Sequence, residues 1–250
     1  GSKATFVDKT DTLGDNASFS NAVMEIVVEA NARVEHFKVQ NDRDKASYVG
    51  TTQVKQAADS YYANTTISLN GALVRNNLNI ALDGSNVESH MFGLYMLTGK
   101  THVDNHSIAD HLKPHSFSNE LYKGILDEGS TGVFNGKIFV RQDAQKTNAY
   151  QQNRNILLSD NASINTKPQL EIWADDVKCS HGATTGNIDE ESMFYLRSRG
   201  IAENEARALL IHAFGNEIIE KITLEPLRAY LEKLVMQRLG VELDPITDFE

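Results

Sequence analysis

The sequence predicts a mostly β protein: a parallel β-helix (solenoid) followed by a C-terminal α-helical segment. Three observations lead to this prediction. Short β-prone runs alternate with turn residues through most of the chain, a small corner motif recurs among them, and beyond Asn187 the apolar residues change to a spacing of three and four. We therefore expect a β-helix core over residues 1–187 and a helical segment over residues 188–250.

The β-prone runs are separated by Asn, Asp and Gly, as in all-β proteins. In chain order they are EIVVEA, ARVEHFKVQ, NTTISLN, ALVRNNLNIAL, SHMFGLYMLT, GVFNGKIFVR, NRNILLS and PQLEIWA. A motif of Asn-Ala, a variable residue and a strand residue starts at Asn16, Asn31 and Asn161. Asn tolerates the left-handed conformation and Ala fits a tight interior, which favours stacked coils. Because the period is irregular, the residues alone leave a β-sandwich as the alternative.

Three helices are expected after the strands. The first is capped by Asp189 and stopped by Gly200, and the third begins at Pro226, a favoured first-turn residue. The predicted apolar stripe of the second helix is Ala206, Leu209, Leu210, Ala213, Phe214, Ile218 and Ile222. Residues 241–250 carry four acids and no base, which predicts a solvated end.

Composition excludes several classes of protein. A net charge of −10 argues against a nucleic-acid binder and against docking on an anionic membrane, since both need clustered Lys and Arg. No apolar run reaches the length of a membrane span, and a single cysteine suits a reducing cytoplasm. The opening Gly1-Ser2 is typical of an expression scar, so we expect a truncated chain.

Histidines between residues 102 and 115 form one candidate metal site. His102, Asp104 and His106 alternate, so a strand places all three on one face, and His111 and His115 follow. Imidazole and carboxylate groups bind zinc, iron or copper. A polar strand face in water has the same pattern, and that interpretation is favoured from the residues alone.

A second candidate is DDVKCSHGAT, which begins at Asp175 and holds Cys179, the only cysteine, and His181. On a strand both side chains share a face with Cα atoms roughly 6.6 Å apart, a spacing that suits two ligands of a shared metal better than direct proton transfer. Asp175 and Asp176 would point to opposite faces, which makes a poor acid/base pair. The competing interpretation is that Cys179 is a small buried hydrophobe.

The same stretch carries a family resemblance. TKPQLEIWADDVKCSHGATTGNIDEESMFYLRSRG, from Thr166 to Gly200, and SNELYKGILDEGSTGVFNGKIFVRQDAQKTNAYQQNRNILLSD, from Ser118 to Asp160, resemble the SufD branch of the SufB/SufD family of iron–sulfur cluster assembly proteins. SufB proteins are similar but carry a His-Glu-Ala-Thr type sequence at the position of residues 179–184. The chain is therefore identified as similar to the D type.

The resemblance implies a right-handed parallel β-helix with C-terminal helices. It implies a non-enzymatic scaffold that pairs with a SufB-type subunit through the β-helix and docks a SufC-type ABC ATPase through the helices. The family's contact histidine maps onto His181, with Cys179 beside it, as ligands of an iron or cluster site shared with SufB. An iron–sulfur cluster would be held transiently in the complex, with none bound stably by the isolated chain.

Further expectations follow from the same resemblance. The isolated chain is expected to form a homodimer through the strands that SufB would cover. The family's leading helical segment is expected to be missing here, and Ala202 replaces a frequent Ser helix cap. Two alternatives remain: a stand-alone β-helix enzyme acting on polysaccharide with Asp175 and Asp176 as acids, and a metal-binding chaperone using the histidines. An aromatic share of 8% is low for a sugar-binding groove.

Overall fold

Strands build the first part of the molecule and helices the second. The structure, a computed structural model, describes residues 1–240, so the prediction for residues 241–250 lies outside the described residues. Two compact units are present, residues 1–185 and a second that begins at residue 186. Within the described residues, no helix is long and apolar enough to cross a membrane.

The first unit is a two-sheet solenoid. Its strands are β1 Lys3–Thr10, β2 Ser18–Val28, β3 Arg33–Asn41, β4 Ala46–Gln56, β5 Tyr61–Asn70, β6 Leu73–Leu82, β7 Glu88–Leu97, β8 His102–His111, β9 Phe117–Leu126, β10 Thr131–Val140, β11 Asn148–Leu157, β12 Ser163–Ile172 and β13 Lys178–Gly186. The odd-numbered strands form sheet A in the order β1-β3-β5-β7-β9-β11-β13, and the even-numbered strands form sheet B from β2 to β12. The chain thus adds one strand to each sheet per coil. The predicted solenoid is confirmed, and the sandwich alternative is wrong.

Parallel pairing sets the stacking of the coils. The first residues of successive sheet A strands, 33, 61, 88, 117 and 148, lie side by side. Side chains on the inner faces stack into a core in which Tyr62, Leu82 and Phe134 are fully buried. In β8 and β10 burial alternates residue by residue, as expected for strands with one solvated face. The solenoid therefore presents its outward residues in ladders, one rung per coil.

Corners use left-handed residues of several types. The motifs at Asn16, Asn31 and Asn161 do lie directly before β2, β3 and β12, but only Asn31 has a positive φ, of 61°. The left-handed positions two residues before the sheet A strands are Asn31, Asp59, Asn86, His115 and Lys146. In all of these except Asn86, the backbone N–H bonds to the next corner, for example Asn31 N–H to the Ala58 oxygen at 3.1 Å. The prediction of corners is confirmed, whereas the left-handed role assigned to Asn16 and Asn161 is wrong.

The second unit contains α1 Glu190–Ser198, α2 Glu203–Ile219 and α3 Glu225–Leu239. Asp189 caps α1 by accepting the Ser192 N–H at 2.9 Å, and Gly200 has the expected positive φ. Pro226 lies in the first turn of α3. Ala202 stands at the N-cap of α2 and makes no side-chain cap bond, as expected from its lost hydroxyl.

The predicted stripe of α2 is partly wrong. Ala206, Ile218 and Ile222 are buried, but Ala213 is exposed and Leu209, Leu210 and Phe214 are only half-buried. The buried face instead includes Ala208, Ile211, Gly215 and Ile219. Both sets follow a helical period because ALLIHAF is apolar on two sides, so periodicity alone does not choose between them.

Removing the α1 cap gives a local prediction. In Asp189→Ala the Ser192 N–H loses its acceptor, so amides in the first turn of α1 should exchange with solvent several-fold faster in hydrogen-exchange mass spectrometry. Ala202→Ser is the reciprocal control, since it adds a cap and should slow the first turn of α2. Equal exchange in the parent chain and Asp189→Ala would contradict the capping role.

Candidate functional site

The candidate site lies at the end of the solenoid formed by the last coil. β13 is the last strand of sheet A and β12 is the last strand of sheet B, so each has one edge with no neighbouring strand among the described residues. Every residue of β13 is exposed except Cys179, which is half-buried. Within residues 1–240 no further coil follows β13, because α1 is the next element. The inner face of β13 is therefore open at this end.

Register places Cys179 and His181 on that inner face. Lys178 N–H bonds to the Thr147 oxygen at 2.9 Å, as Asn148 N–H bonds to Ser116 one coil earlier. In the earlier coil this bond goes with the pairing of Asn148 and Phe117, so in the last coil it pairs Lys178 with Asn148. Counting along both strands then places Cys179 beside Ala149 and His181 beside Gln151. Cys179 packs against the core, as expected for the neighbour of the inward-facing Ala149. The predicted shared face of Cys179 and His181 is thus present.

Burial controls the chemistry of Cys179. It raises the pKa of the thiol, and a backbone hydrogen bond involving Ala149 opposes the shift only partly. The thiol is therefore protonated at neutral pH, and the thiolate needed for nucleophilic attack or metal ligation is scarce in this state. At neutral pH, a cation such as a metal ion beside the thiol would favour its deprotonation.

Alkylation tests this state of the thiol. With iodoacetamide at neutral pH, Cys179 should react more slowly than glutathione, and the rate should keep rising with pH beyond the pH at which glutathione levels off. Mass spectrometry of the quenched time course gives the rate, and Cys179→Ser gives the blank. A rate equal to that of glutathione at neutral pH would contradict the raised pKa.

Of the two aspartates of the motif, Asp176 has a structural role. They lie in the corner between β12 and β13 and not on a strand, so their expected placement on opposite strand faces is wrong. The Asp176 carboxylate pairs with Lys146, and its backbone N–H donates to the Gln145 amide oxygen at 2.9 Å. These contacts tie the last corner to the one below. Asp176 is therefore engaged in holding the coil that carries Cys179 and His181.

The histidine cluster is divided by the fold. His102, Asp104 and His106 share the outward face of β8 as predicted, and Asp104 contacts His106 at 2.9 Å. His111 is buried inside the solenoid, and His115 occupies a left-handed corner. Asp104 is also held by Arg75 at 2.6 Å. In residues 1–240, no three His, Cys, Asp or Glu side chains gather as a metal site.

A group of polar side chains lies inside the solenoid below β13, and it was not predicted from the sequence. Glu120 is fully buried and accepts a hydrogen bond from Gln151 Nε2 at 2.7 Å. Burial raises the pKa of Glu120 to about 7, while the hydrogen bond from Gln151 acts in the opposite direction. The donor that holds this carboxyl, the Gln151 amide, is neutral.

A second buried network involves Asn153 and Asn155 of β11, the strand that also carries Gln151. The Tyr95 hydroxyl donates to Asn155 Oδ1 at 2.5 Å and accepts from Asn153 Nδ2 at 3.0 Å. Asn155 Nδ2 also reaches the Thr184 carbonyl of β13 at 3.4 Å. The exposed strand is therefore anchored to the interior by polar contacts as well as by backbone pairing. In the sequence, AYQQNRNIL does not distinguish these buried amides from solvated ones.

An aromatic stack borders the same end. Trp173 follows β12 and is 48% exposed, with its ring stacked on Phe139 at 6.2 Å. The Arg141 guanidinium lies about 5 Å from both ring centroids. Arg141 is fixed by a bidentate bond to Asp110, at 2.8 and 2.9 Å. A rigid, exposed Trp–Arg pair is a frequent centre of binding energy in protein interfaces.

The second unit has an exposed surface of its own on α1. None of the nine residues of α1 is buried, and Phe194 and Tyr195 are 75% and 57% exposed. Phe194 and Met193 line a shallow cavity of about 510 Å³, with Arg197 also at its rim. Large apolar side chains held in solvent by a capped helix mark a surface for a partner.

Comparisons with known proteins agree on one family. Residues 1–214 match the SufBD core domain of the SUF system of FeS cluster assembly. An iron–sulfur cluster assembly SufBD family protein of Synechocystis is 41% identical over 92% of this chain and 51% of its own length. The iron–sulfur cluster assembly protein SufD of Escherichia coli is 37% identical over 96% of this chain and 56% of its own.

A plant relative extends the comparison. The chloroplastic protein ABCI7 of Arabidopsis thaliana is 38% identical over 84% of this chain and 44% of its own length. The chain thus spans about half the length of the curated relatives that it matches. The resemblance drawn from the two sequence stretches is confirmed at the level of the family.

Proposed function

Because the chain belongs to the SufBD core-domain family of iron–sulfur cluster assembly, we propose that it is a non-enzymatic scaffold subunit that pairs with a SufB-type subunit and docks a SufC-type ABC ATPase. The observation that supports this most is the open end of the solenoid, where the free edge of β13 carries Cys179 and His181. The proposed compartment is the cytoplasm.

Pairing uses the free edges of the last coil. An unpaired strand edge presents a row of N–H and C=O groups, which soluble proteins normally protect or pair. Several exposed residues of β13 are small, among them Gly182, Ala183 and Gly186. Their side chains do not block the approach of another strand. The Trp173–Arg141 stack adds a binding contact beside it. In the absence of SufB, the same edges support pairing of two copies of this chain.

The pair of potential ligands explains why a partner is needed. Cys179 and His181 supply one thiol and one imidazole, which are suitable iron ligands but too few for a cluster. A partner edge laid beside β13 would bring further ligands to the same place. In this scheme the cluster is the cargo of the assembled pair, and the raised pKa of the isolated Cys179 thiol disfavours stable binding by this chain alone.

Docking of the ATPase is assigned to α1. Phe194 and Tyr195 give an apolar contact, and the Arg199 guanidinium lies 5.2 Å from the Tyr195 ring centroid and restrains it. The helix leaves its apolar residues exposed, so binding need not unfold the second unit. The proposed ATPase contact on α1 and the proposed SufB contact on β13 use different residues.

Co-expression of the chain with its SufB-type and SufC-type partners tests the proposal. Size exclusion with light scattering should give a ternary complex. Phe194→Ser with Tyr195→Ser should release the ATPase and retain SufB, whereas Trp173→Ala should weaken the SufB contact. Phe19→Ser is the matched control: Phe19 is an aromatic residue of β2 with comparable exposure, and the variant should retain both partners. Absence of any complex with the parent chain would overturn the proposal.

Cluster loading tests the ligand pair separately. In the ternary complex, Cys179→Ala with His181→Ala should abolish most iron and sulfide incorporation while leaving the complex intact. His106→Ala removes a partly exposed histidine from the outward face of sheet B and should leave loading unchanged. Unchanged loading in the Cys179/His181 variant would remove these residues from the site without affecting the scaffold proposal.

A further inference from the structure

The interior below β13 contains a buried amide oxygen with no partner. Gln151 is fully buried in β11, and its Nε2 donates to Glu120 Oε2. Its Oε1 has no hydrogen-bond partner among the described residues. Leaving such an oxygen unpaired costs roughly 1–3 kcal/mol, so it is a position where a donor is expected.

The neighbour on the open side of Gln151 is His181. Glu120 and Gln151 pair directly across β9 and β11, and the Lys178–Thr147 backbone bond places His181 beside Gln151 in β13. The three residues thus form one inward ladder, with neighbouring strands about 4.8 Å apart. Glu120 in β9 binds Nε2 of the Gln151 amide, so the amide oxygen is available to a residue of β13 on the other side of β11, where His181 lies.

Sheet B is shaped around the same amide. Gly136 faces Gln151 from β10, and a Cβ at Gly136 would lie 2.4 Å from Gln151 Nε2. Ser107, which pairs with Gly136 in sheet B, is buried on the same inner face. A glycine on one side and a buried carboxyl on the other leave the amide of Gln151 little freedom to turn.

We propose that Gln151 is a positioning residue for His181: the exposed imidazole turns toward the interior and donates one ring N–H to this unpaired amide oxygen, while Glu120 fixes the amide. A histidine that donates one ring N–H is held in a single neutral tautomer, and its other nitrogen carries the lone pair that binds a metal. The lone pair of His181 then faces out of the open end. The hydrogen bond does not depend on the proposed function, but the use of the outward lone pair rests on it.

Nitrogen NMR of the full-length labelled chain tests the hydrogen bond directly. In alkaline buffer, where imidazole is neutral, His181 should show one dominant tautomer in the parent protein. Gln151→Met keeps the length of the side chain and removes the acceptor, so His181 should revert to the tautomer mixture of a free imidazole. His181→Gln identifies the signal by its disappearance.

Gln56→Met is the matched control. Gln56 is also fully buried, and its Oε1 is also unpaired, but it lies in β4, far from β13 in the coil order. This change should leave the His181 tautomer unaltered. A free-imidazole mixture in the parent chain would overturn the proposal whether or not Gln151→Met folds, and an unchanged tautomer in folded Gln151→Met would also overturn it.

Cluster loading in the ternary complex separates this inference from the proposed function. If Gln151→Met releases the tautomer and lowers loading toward the level of His181→Ala, positioning and ligation both stand. Suppose that Gln151→Met restores the tautomer mixture but that neither this variant nor His181→Ala changes loading. Then Gln151 positions His181, but His181 is not a cluster ligand. If the tautomer is unaffected while His181→Ala abolishes loading, ligation stands and the positioning role of Gln151 fails.

Discussion

Replacing Gly84 with alanine is expected to destabilise the solenoid by about 3 kcal/mol or to prevent folding. Gly84 is buried in the corner between β6 and β7, and an added Cβ would lie 2.2 Å from the backbone nitrogen of Ala58 and 2.5 Å from the carbonyl carbon of Ala57. Both are main-chain atoms, which cannot rotate away as a side chain would. The clash must be relieved by moving one corner away from the next.

Such a movement would break bonds on both sides of Gly84. Asp83 N–H donates to the Gln56 oxygen and Asp59 N–H donates to the Ser85 oxygen, each at 3.0 Å. Urea unfolding followed by circular dichroism measures the loss. Gly129→Ala is the matched control in another corner, where the nearest atom to a Cβ is 3.4 Å away, and it should change stability by less than about 1 kcal/mol. Equal midpoints for the two variants would contradict the close packing of the corners.

The corners also show where sequence interpretation succeeded and where it could not. Asn-Ala motifs correctly marked the start of three strands, because Asn and Ala suit a tight turn. Yet left-handed positions are occupied by His115 and Lys146 as readily as by Asn31. The position is imposed by stacking of one corner on the next, through backbone bonds that any residue except proline can make. Residue type therefore predicts only part of the corner pattern.

The candidate site divides in the same way. Strand alternation was enough to place Cys179 and His181 on one face, because it needs only local geometry. The neighbour of His181 is Gln151, and finding it requires the length of the coil between them. Corner lengths differ from coil to coil, as the strand starts at 61, 88, 117 and 148 show. No fixed offset in the sequence points from His181 to Gln151 or to Glu120.

Acidification is expected to unfold the protein steeply, because two histidines are buried in neutral form. Burial lowers the pKa of His36 to about 4, with a further contribution from Lys38, and lowers the pKa of His111 to about 4. The His111 ring nitrogens lie 2.7 and 2.9 Å from the hydroxyls of Ser116 and Ser118. These hydroxyls suit a neutral ring and offer no charge to balance an imidazolium.

The sign of the effect follows from the lowered values. In the unfolded chain each histidine takes up a proton near its ordinary pKa of 6.5, while the folded chain resists until about pH 4. Stability is therefore fully present above pH 6.5 and is lost as the pH falls through 4, by about 3 kcal/mol for each histidine. His111→Asn, which stays neutral at every pH, should flatten the acid side of the profile.

Glu120 acts in the opposite direction. Its pKa is raised from 4.5 to about 7, so the folded chain keeps a proton that the unfolded chain has released, and stability falls by about 3 kcal/mol as pH rises from 4.5 to 7. Between pH 4.5 and 6.5 the two histidines outweigh the one carboxyl, and of these three groups only Glu120 still titrates above pH 6.5. Urea unfolding across this range should therefore show a stability maximum near pH 6.5.

Glu120→Gln isolates the carboxyl from the histidines. A glutamine amide oxygen still accepts from Gln151, but the side chain no longer ionises. The variant should lose the decline above pH 6.5 and keep the steep acid limb, so its advantage over the parent chain should grow from pH 4.5 to about 7 and then stay constant. If stability depended on pH in the same way in the two proteins, the pKa of Glu120 would be the same in the folded and unfolded states, which would contradict the raised pKa.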